Sequence, residues 1–308
     1  MSCYHPITAW QPFHEGGKIT FDKPPSKPIQ RHKEIQFPCR QCLGCRIDKQ
    51  TQWCIRLLHE NQLHQNAQFI TLTYDEDHIP IDFGLHHEHF QAFMKKLRKL
   101  NPEKRLRFFM CGEYGSRGSR PHYHAIIFGL KLDDLKVYKT DYSKGDEYKI
   151  YTSETLEKIW ARGMVTIGYV NKATMNYVSG YMLKEQVLTS KGDYSITDPE
   201  TGEIYDRKAP YIRMSNRPGI GGDWIEKFTS DVYPHEHVII EGKKKSVPDY
   251  YLKKLEQLSP ELAAEIKAKR QEVIDSQEFK EQNTPEKLAK KKEVTKAKRR
   301  FFKKGEAL

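Results

Sequence analysis

The sequence predicts an α+β fold, and three observations lead to this prediction. Residues 69–74 alternate β-branched or aromatic side chains along a short run, as a half-buried strand does. Two further strand-like runs, residues 106–111 and 123–128, are joined by a glycine-containing loop, which favours an antiparallel hairpin. Between the first strand and this pair, residues 90–100 repeat apolar side chains every three or four positions, as an amphipathic helix does.

The remaining elements follow in chain order. The same patterns predict helices over residues 46–65, 153–161 and 174–183 and a strand over residues 164–169. Residues 185–210 are polar and contain the turn sequence Asp198-Pro199-Glu200-Thr201-Gly202, which indicates a long loop or a hairpin. From about residue 245 the chain is helix-prone and charged, and helix starts are expected at Pro260 and Pro285 because proline is favoured in the first turn.

Composition divides the chain into three stretches. Residues 1–66 form a cysteine-rich N-terminal region that ends in a helix, residues 67–235 hold most of the predicted strands, and residues 236–308 form a basic helical tail. A chain of this length allows one large domain with extensions, so we expect residues 67–235 to form the core.

The charge balance points to a polyanionic partner. The 308 residues include 52 Lys and Arg against 41 Asp and Glu, which gives a net charge of +11 and a pI of about 9.1. Such a surplus favours nucleic acid. No membrane association is expected, because no apolar run approaches the roughly 18 residues that span a bilayer. The N-terminus has no secretion-signal pattern, so we expect a reducing compartment and no disulfides.

A metal site is predicted where the second and third strands meet. His122 and His124 are two positions apart on a predicted strand, so both imidazoles point to the same side. Glu113 ends the preceding strand and returns beside them if the two strands pair. Two imidazoles and a carboxylate suit Mg²⁺ or Mn²⁺ during phosphoryl chemistry, although imidazole also suits zinc. The alternative is two hydrogen-bonded histidines, with Glu113 paired to Arg117 or Arg120.

A second group of candidate residues lies on the predicted helix at 174–183 and just beyond it. Tyr177, Tyr181 and Lys184 follow one another at helical spacing and therefore share a face. Aromatic side chains at this spacing usually pack in a core, but two phenols beside an ammonium make a poor core. Because tyrosine has a pKa of about 10, a phenol needs a nearby cation to act as a nucleophile at neutral pH.

The cysteines suggest a separate metal site near the N-terminus. Cys39, Cys42 and Cys45 are spaced three residues apart, and Cys3 is a candidate fourth ligand of a tetrahedral zinc ion. The spacing is unusual for zinc-binding motifs. Reduced, buried thiols at the start of a helix remain the alternative interpretation.

Taken in order, these residues resemble the HUH endonucleases of rolling-circle replication. Phe69–Thr73 is similar to their first motif, Pro121–His124 to the second, and Tyr177, Tyr181 and Lys184 to the third. The resemblance is strongest to the replication initiators of microviruses, particularly gokushovirus-like single-stranded DNA phages, and it covers roughly residues 37–228. It also includes the stretches Pro38–Arg46, Gly112–Gly115 and Met214–Gly221.

The resemblance implies a ferredoxin-like central antiparallel sheet flanked by helices. It also implies a metal-dependent endonuclease and ligase that nicks single-stranded origin DNA, leaving a 5′-phosphotyrosine and a free 3′-hydroxyl, and then rejoins ends. In that role Tyr177, Tyr181 and Lys184 would be catalytic, with Glu113, His122 and His124 holding Mg²⁺ or Mn²⁺. Such an enzyme acts in the cytoplasm of the bacterial host. Because the sequence has no phosphate-loop motif, it would rely on a host helicase as well as the host DNA polymerase.

Two alternatives share part of this pattern. A plasmid initiator or a transposase uses the same chemistry on other DNA. A non-catalytic, zinc-bearing DNA-binding protein would need only the cysteines and the basic surface, and its tyrosines would be core residues. Metal-dependent nicking of single-stranded DNA distinguishes the enzymes from the binding protein.

Overall fold

The structure is a computed structural model that describes residues 3–14, 16–24, 31–115, 120–142, 147–188, 193–198 and 201–305. Within these ranges the side chains of residues 141, 182–188 and 302–305 are left aside. The chain forms two compact units. One comprises residues 50–264, and the other comprises residues 1–49 together with residues 265–308.

A seven-stranded sheet organises the unit formed by residues 50–264. Its strands are β3 (Ala67–Thr73), β4 (Arg107–Tyr114), β5 (Pro121–Phe128), β6 (Leu135–Asp141), β7 (Tyr148–Ser153), β8 (Val165–Tyr169) and β11 (Tyr211–Met214). They lie in the order β11-β4-β5-β3-β8-β7-β6, and each neighbouring pair is antiparallel. The chain therefore has a mixed α+β fold with a large antiparallel sheet.

Helices cover both faces of this sheet because the central strands are apolar on both sides. One face packs against α2 (His87–Leu100) and α3 (Glu154–Trp160), with Tyr123, Ala125 and Ile127 of β5 in its core. The opposite face carries Ile126 and Phe128 and packs against α1 (Leu43–Gln62) and α4 (Lys172–Leu188). The alternation along β5 thus sends its even-numbered residues toward α4.

Smaller elements complete this unit. They are the short hairpin β9 (Ile196–Thr197) and β10 (Ile204–Tyr205), helices α5 (Gly222–Lys227) and α6 (Thr229–Val232), the hairpin β12 (His237–Ile240) and β13 (Lys243–Ser246), and helix α7 (Asp249–Leu258). Helix α8 (Pro260–Asp275) begins in this unit.

The second unit joins the two ends of the chain. Strands β1 (Ile7–Pro12) and β2 (His32–Phe37) form an antiparallel ribbon, and helices α9 (Gln277–Gln282) and α10 (Pro285–Gly305) follow the end of α8. Lys33 of β2 forms an ion pair of 2.7 Å with Asp275. The Tyr4 hydroxyl donates a 2.7 Å hydrogen bond to Thr295 of α10. These contacts fix the C-terminal helices against the N-terminal segment.

Most of the predicted elements are found, with shifted ends. Helices α8 and α10 begin at the two predicted prolines, and the turn region near residue 200 is a short hairpin. The strands β6, β7 and β11 were not predicted. The first two are largely exposed and carry Lys, Tyr and Thr, so their apolar pattern is weak. The predicted boundaries at residues 66 and 235 stay a prediction; the structure groups the two ends of the chain instead.

A buried ion pair anchors the loop after β11. Glu60 of α1 and Arg107 of β4 are almost fully buried and form a short hydrogen-bonded ion pair. The Gly221 amide donates to the other Glu60 oxygen at 2.7 Å, and Arg107 donates to the Pro218 carbonyl at 2.9 Å. Burial alone would raise the pKa of Glu60, but hydrogen bonds from His64, the Gly221 amide and Arg107 hold it below its ordinary value.

We expect Arg107→Ala to lower the free energy of unfolding by about 3–5 kcal/mol, because it leaves a buried carboxylate without its counter-charge. Arg105→Ala is the matched control: Arg105 also forms an ion pair, with Asp223 at 3.3 Å, but its side chain is 61% exposed. Exposed pairs contribute about 0–1 kcal/mol. Urea unfolding of both variants measures the difference, and equal losses would show that the buried pair is not an anchor.

Candidate catalytic cleft and cysteine cluster

The central position of β5 brings the predicted metal ligands together. In the register of β4 and β5, Glu113 lies opposite His122, and His124 is two residues further along the same face. Nε2 of His122 lies 3.1 Å and Nε2 of His124 lies 3.3 Å from the same Glu113 oxygen. The three ligand atoms lie within 4.8 Å of one another, so the structure contains a possible metal-binding site.

The hydrogen bonds around the two imidazoles fit a cation at this point. Nδ1 of His122 lies 3.1 Å from the Arg120 carbonyl, which can only accept, so Nδ1 carries the proton and the Nε2 lone pair faces Glu113. A lone pair and a carboxylate oxygen both accept, so they need a cation or a proton between them. Nδ1 of His124 is held by the Thr71 hydroxyl at 2.9 Å. Such partners orient imidazoles in metal sites.

Helix α4 places both predicted tyrosines over this triad. The Tyr181 ring stacks on the His124 ring at a centroid distance of 5.4 Å, and the Tyr177 ring meets His124 edge-on at 5.5 Å. The Tyr181 hydroxyl donates to the Tyr177 hydroxyl. Tyr177 is 50% exposed, whereas Tyr181 is 6% exposed. One phenol is therefore open to solvent and the other lies at the metal-binding residues.

Both phenols stay protonated at neutral pH in this arrangement. Burial raises the pKa of Tyr177, and a hydrogen bond from Tyr181 offsets part of the rise. Burial also raises the pKa of Tyr181, and hydrogen bonds with Glu113 and Tyr177 raise it further. The Glu113 carboxylate disfavours a phenolate beside it, so an ion bound to Glu113 would ease ionisation of Tyr181.

These residues line one side of an open cleft of about 820 Å³. Its other wall includes Tyr114, Tyr194 and Arg207, where the Arg207 guanidinium lies 4.1 Å from the centre of the Tyr114 ring. The Arg207 Nε also donates to the Tyr194 carbonyl at 2.8 Å. The cleft therefore combines acceptor groups at its base with aromatic and cationic groups on its wall.

Helix α4 is continuous through Gly180, although glycine weakens a helix by about 1 kcal/mol. A Cβ at Gly180 would lie 3.2 Å from the side-chain amide of Gln50, which donates to the Asn176 carbonyl of α4 at 3.0 Å. Close packing of α1 against α4 accounts for this glycine. Lys184 belongs to the same helix, but its side chain lies outside the described residues.

Thr71 was not predicted as a site residue. It belongs to β3, which pairs with β5 so that Thr71 lies opposite His124. The sequence contained a partial signal, because Thr71 alternates with the apolar positions Ile70 and Leu72 of the first strand. What the sequence did not provide was the strand pairing that sets Thr71 beside a histidine 53 residues away.

The four predicted cysteines also come together, within the unit formed by the two chain ends. The sulfur atoms of Cys3, Cys39, Cys42 and Cys45 lie within 4.8 Å of one another. Backbone amides donate to three of these sulfurs at 3.2–3.3 Å: Cys39 to Cys3, Cys42 to Cys39, and Tyr4 to Cys42. Although burial alone would raise it, hydrogen bonds bring the pKa of Cys42 to about 7. Four convergent thiols form the ligand set of a structural zinc ion.

We expect natively purified protein to carry about one zinc ion per chain, and Cys42→Ser to lose it. Cys54→Ser is the matched control, because Cys54 is a thiol that lies outside the cluster and whose pKa burial raises to about 11. Elemental analysis of the three proteins decides the matter. Absence of zinc from the unaltered protein, or its retention by the Cys42 variant, would reject the assignment.

The chain resembles several proteins of known name. A family model for the replication-associated protein ORF2 matches residues 67–186. The replication-associated protein VP4 of Bdellovibrio phage phiMH2K is 31% identical over 296 residues, which cover 92% of this chain and 87% of that protein. The replication-associated protein ORF2 of Spiroplasma virus 4 is 29% identical, over 83% of this chain and 81% of that protein.

A third relative is more distant. The replication-associated protein ORF4 of Chlamydia phage 1 is 25% identical, over 74% of this chain and 56% of that protein. No solved structure matches the chain. Among the described residues, no helix is both long enough and apolar enough to cross a membrane.

Proposed function

Because the chain belongs to the family of replication-associated proteins of microviruses, we propose that it starts rolling-circle replication by nicking single-stranded origin DNA with a tyrosine. One observation carries this proposal: two tyrosine rings lie 5.4 Å and 5.5 Å from the ring of His124, which itself belongs to a candidate metal site. A phenol nucleophile next to a site for a divalent cation is suited to phosphoryl transfer.

The proposed reaction is a transesterification. The phenolic oxygen of a tyrosine attacks the scissile phosphorus, its proton is lost, and the bond from phosphorus to the 3′-oxygen breaks. The 3′-oxygen leaves with a proton as a free hydroxyl, and the 5′-phosphate remains esterified to the tyrosine. One phosphodiester bond is exchanged for another, so a 3′-hydroxyl can reverse the step and rejoin the ends without a nucleotide cofactor.

The residues of the cleft take separate parts in this reaction. Glu113, His122 and His124 would hold Mg²⁺ or Mn²⁺, whose charge would offset the negative charge that develops on the scissile phosphate. Thr71 and the Arg120 carbonyl orient the two imidazoles. Tyr177 and Tyr181 are the candidate nucleophiles. We assign to Lys184 the stabilisation of a phenolate or of the phosphate, from its place one turn beyond Tyr181 on α4.

Two nucleophiles allow a complete replication round. The first tyrosine stays bound to the 5′ end while a host DNA polymerase extends the 3′-hydroxyl and a host helicase opens the duplex. The second tyrosine then cuts the regenerated origin, and the released strand closes into a circle. This scheme carries with it a ferredoxin-like HUH fold for the sheet unit and a place of action in the cytoplasm of the bacterial host.

Nicking of an origin oligonucleotide tests the proposal. We expect the full-length protein to cut labelled single-stranded phage origin DNA in the presence of Mg²⁺ or Mn²⁺, and not in the presence of EDTA. A non-catalytic zinc-bearing DNA-binding protein would bind the same oligonucleotide and leave it intact with either ion. Intact DNA under all these conditions would reject the proposed enzyme.

A further inference from the structure

The net positive charge of the chain is concentrated in one of its two units. The unit formed by residues 1–49 and 265–308 contains 22 Lys and Arg against 12 Asp and Glu, a net charge of +10. The sheet unit, residues 50–264, contains 30 against 29, a net charge of +1. The unit that carries the candidate catalytic residues thus has almost no net attraction for a polyanion.

Helix α10 presents much of this charge to solvent. Leu288 is 3% exposed and fixes one side of the helix. The solvent-facing side is basic and includes Lys287, Lys290, Lys298 and Arg300, all of them exposed. Side chains on successive turns of one helix can follow the phosphates of a nucleic acid strand.

Helix α10 is held in place and is part of a folded unit. The Tyr4 amide donates to the Cys42 sulfur at 3.3 Å, and the Tyr4 hydroxyl donates to Thr295 at 2.7 Å. The side chains of His5 and Lys292 meet at 3.2 Å. One short N-terminal segment therefore connects the cysteine cluster to the helix, so the basic groups are presented from a fixed support.

We propose that the unit of residues 1–49 and 265–308 is a separate binding surface for the DNA phosphate backbone, with α10 as its principal element. This rests on the proposed function only in taking DNA as the partner. The unit supplies affinity without reading sequence, and the sheet unit supplies the cutting reaction. Chemical complementarity between an exposed basic helix and a chain of phosphates carries the inference.

An anionic membrane surface fits α10 less well. Helices that lie on membranes insert a broad apolar face beside their basic one. The exposed side of α10 combines its basic residues with few apolar ones, Val294 and Phe301, and Leu288 is already buried. A basic helix with a narrow apolar side favours phosphates in solution over a lipid surface.

The test is a four-fold charge variant of the full-length protein, Lys287→Gln, Lys290→Gln, Lys298→Gln and Arg300→Gln. Glutamine keeps the helix propensity of α10. Binding to single-stranded DNA of mixed sequence without an origin is measured in EDTA over a range of salt concentrations. We expect at least about a tenfold weaker affinity and a salt dependence shallower by about 3, since each phosphate contact on a single strand contributes about 0.7 to the slope.

A second variant controls for charge alone. Lys95→Gln, Lys99→Gln, Lys131→Gln and Lys136→Gln remove the same number of charges from exposed positions of the sheet unit. We expect it to bind DNA with nearly unaltered affinity and salt dependence. Equal weakening of both variants, or unaltered binding by the α10 variant, would overturn the proposal. Binding of the unaltered protein to phosphatidylserine vesicles in preference to DNA would do so too.

The outcome does not depend on the cutting reaction, because EDTA withholds the divalent cation during binding. If the protein proves unable to nick DNA, the comparison of the two variants still decides where the backbone binds. If nicking occurs, the α10 variant should cut a saturating concentration of a short origin oligonucleotide at the unaltered rate. A slower rate at saturation would place α10 in the reaction itself and contradict a pure binding role.

Discussion

Replacing His124 by alanine is expected to lower the rate of DNA nicking at least about a thousandfold, a loss of about 4 kcal/mol of transition-state stabilisation. His124 contacts Glu113 at 3.3 Å, receives the support of Thr71 at 2.9 Å and stacks on Tyr181. Its removal takes one ligand from the candidate metal site. The same loss is expected for His122→Ala, and metal-dependent cleavage of an origin oligonucleotide measures both.

Two further variants separate a lost ligand from a damaged fold. Thr71→Val removes only the hydroxyl that orients His124, and we expect a metal affinity about 10–100-fold lower with the unfolding transition preserved. His237→Ala is the control, because His237 lies on the hairpin β12–β13 and outside the cleft. Full cleavage by the doubly substituted protein, His122→Ala with His124→Ala, in Mg²⁺ or Mn²⁺ would end the metal assignment. An unaltered metal titration of Glu113→Gln would remove Glu113 from the site.

The double variant Tyr177→Phe with Tyr181→Phe is expected to lose all covalent protein–DNA adduct, because no phenol remains near the candidate metal site. Each single variant should retain some nicking, since the two rings lie 5.0 Å apart and both face His124. Neither single variant should release unit-length circles over repeated rounds, because the first phenol is esterified when the second cut is due. Lys184→Ala should slow cleavage by either tyrosine.

The two single variants are expected to differ in degree. Tyr177 is half exposed, whereas Tyr181 is buried and raised in pKa by burial and by its hydrogen bonds with Glu113 and Tyr177. DNA reaches Tyr177 without moving Tyr181, so Tyr181→Phe should keep more of the first cut. An adduct formed only by Tyr181, in every variant that contains it, would contradict an exchange of roles and make Tyr177 a packing residue.

The candidate site could be predicted well from the sequence because its geometry follows from local periodicity. His122 and His124 share a face since side chains alternate along a strand, and Tyr177 and Tyr181 share a face since four residues make about one helical turn. Glu113 needed only a hairpin of adjacent strands. Thr71 depended on a pairing between β3 and β5, which residue patterns do not specify, and so it was missed.

The fold was less accessible at its edges than at its centre. The central strands are buried on both faces and carry strong apolar runs, whereas β6 and β7 at one edge are exposed and mixed in composition. The association of the two chain ends was also not predicted. It depends on long-range contacts such as the one between Tyr4 and Thr295, which are 291 residues apart. No local pattern encodes such a distance.

The central claim is that a tyrosine of α4 becomes joined to the 5′ end of cut DNA. The most direct test incubates the protein with single-stranded origin DNA and Mn²⁺, digests the product with trypsin and locates the attached nucleotide by mass spectrometry. The account predicts the label on the peptide of residues 173–184, at Tyr177 or Tyr181. Cleaved DNA with a free 5′-phosphate and no modified peptide, or a label on a residue outside α4, would contradict it.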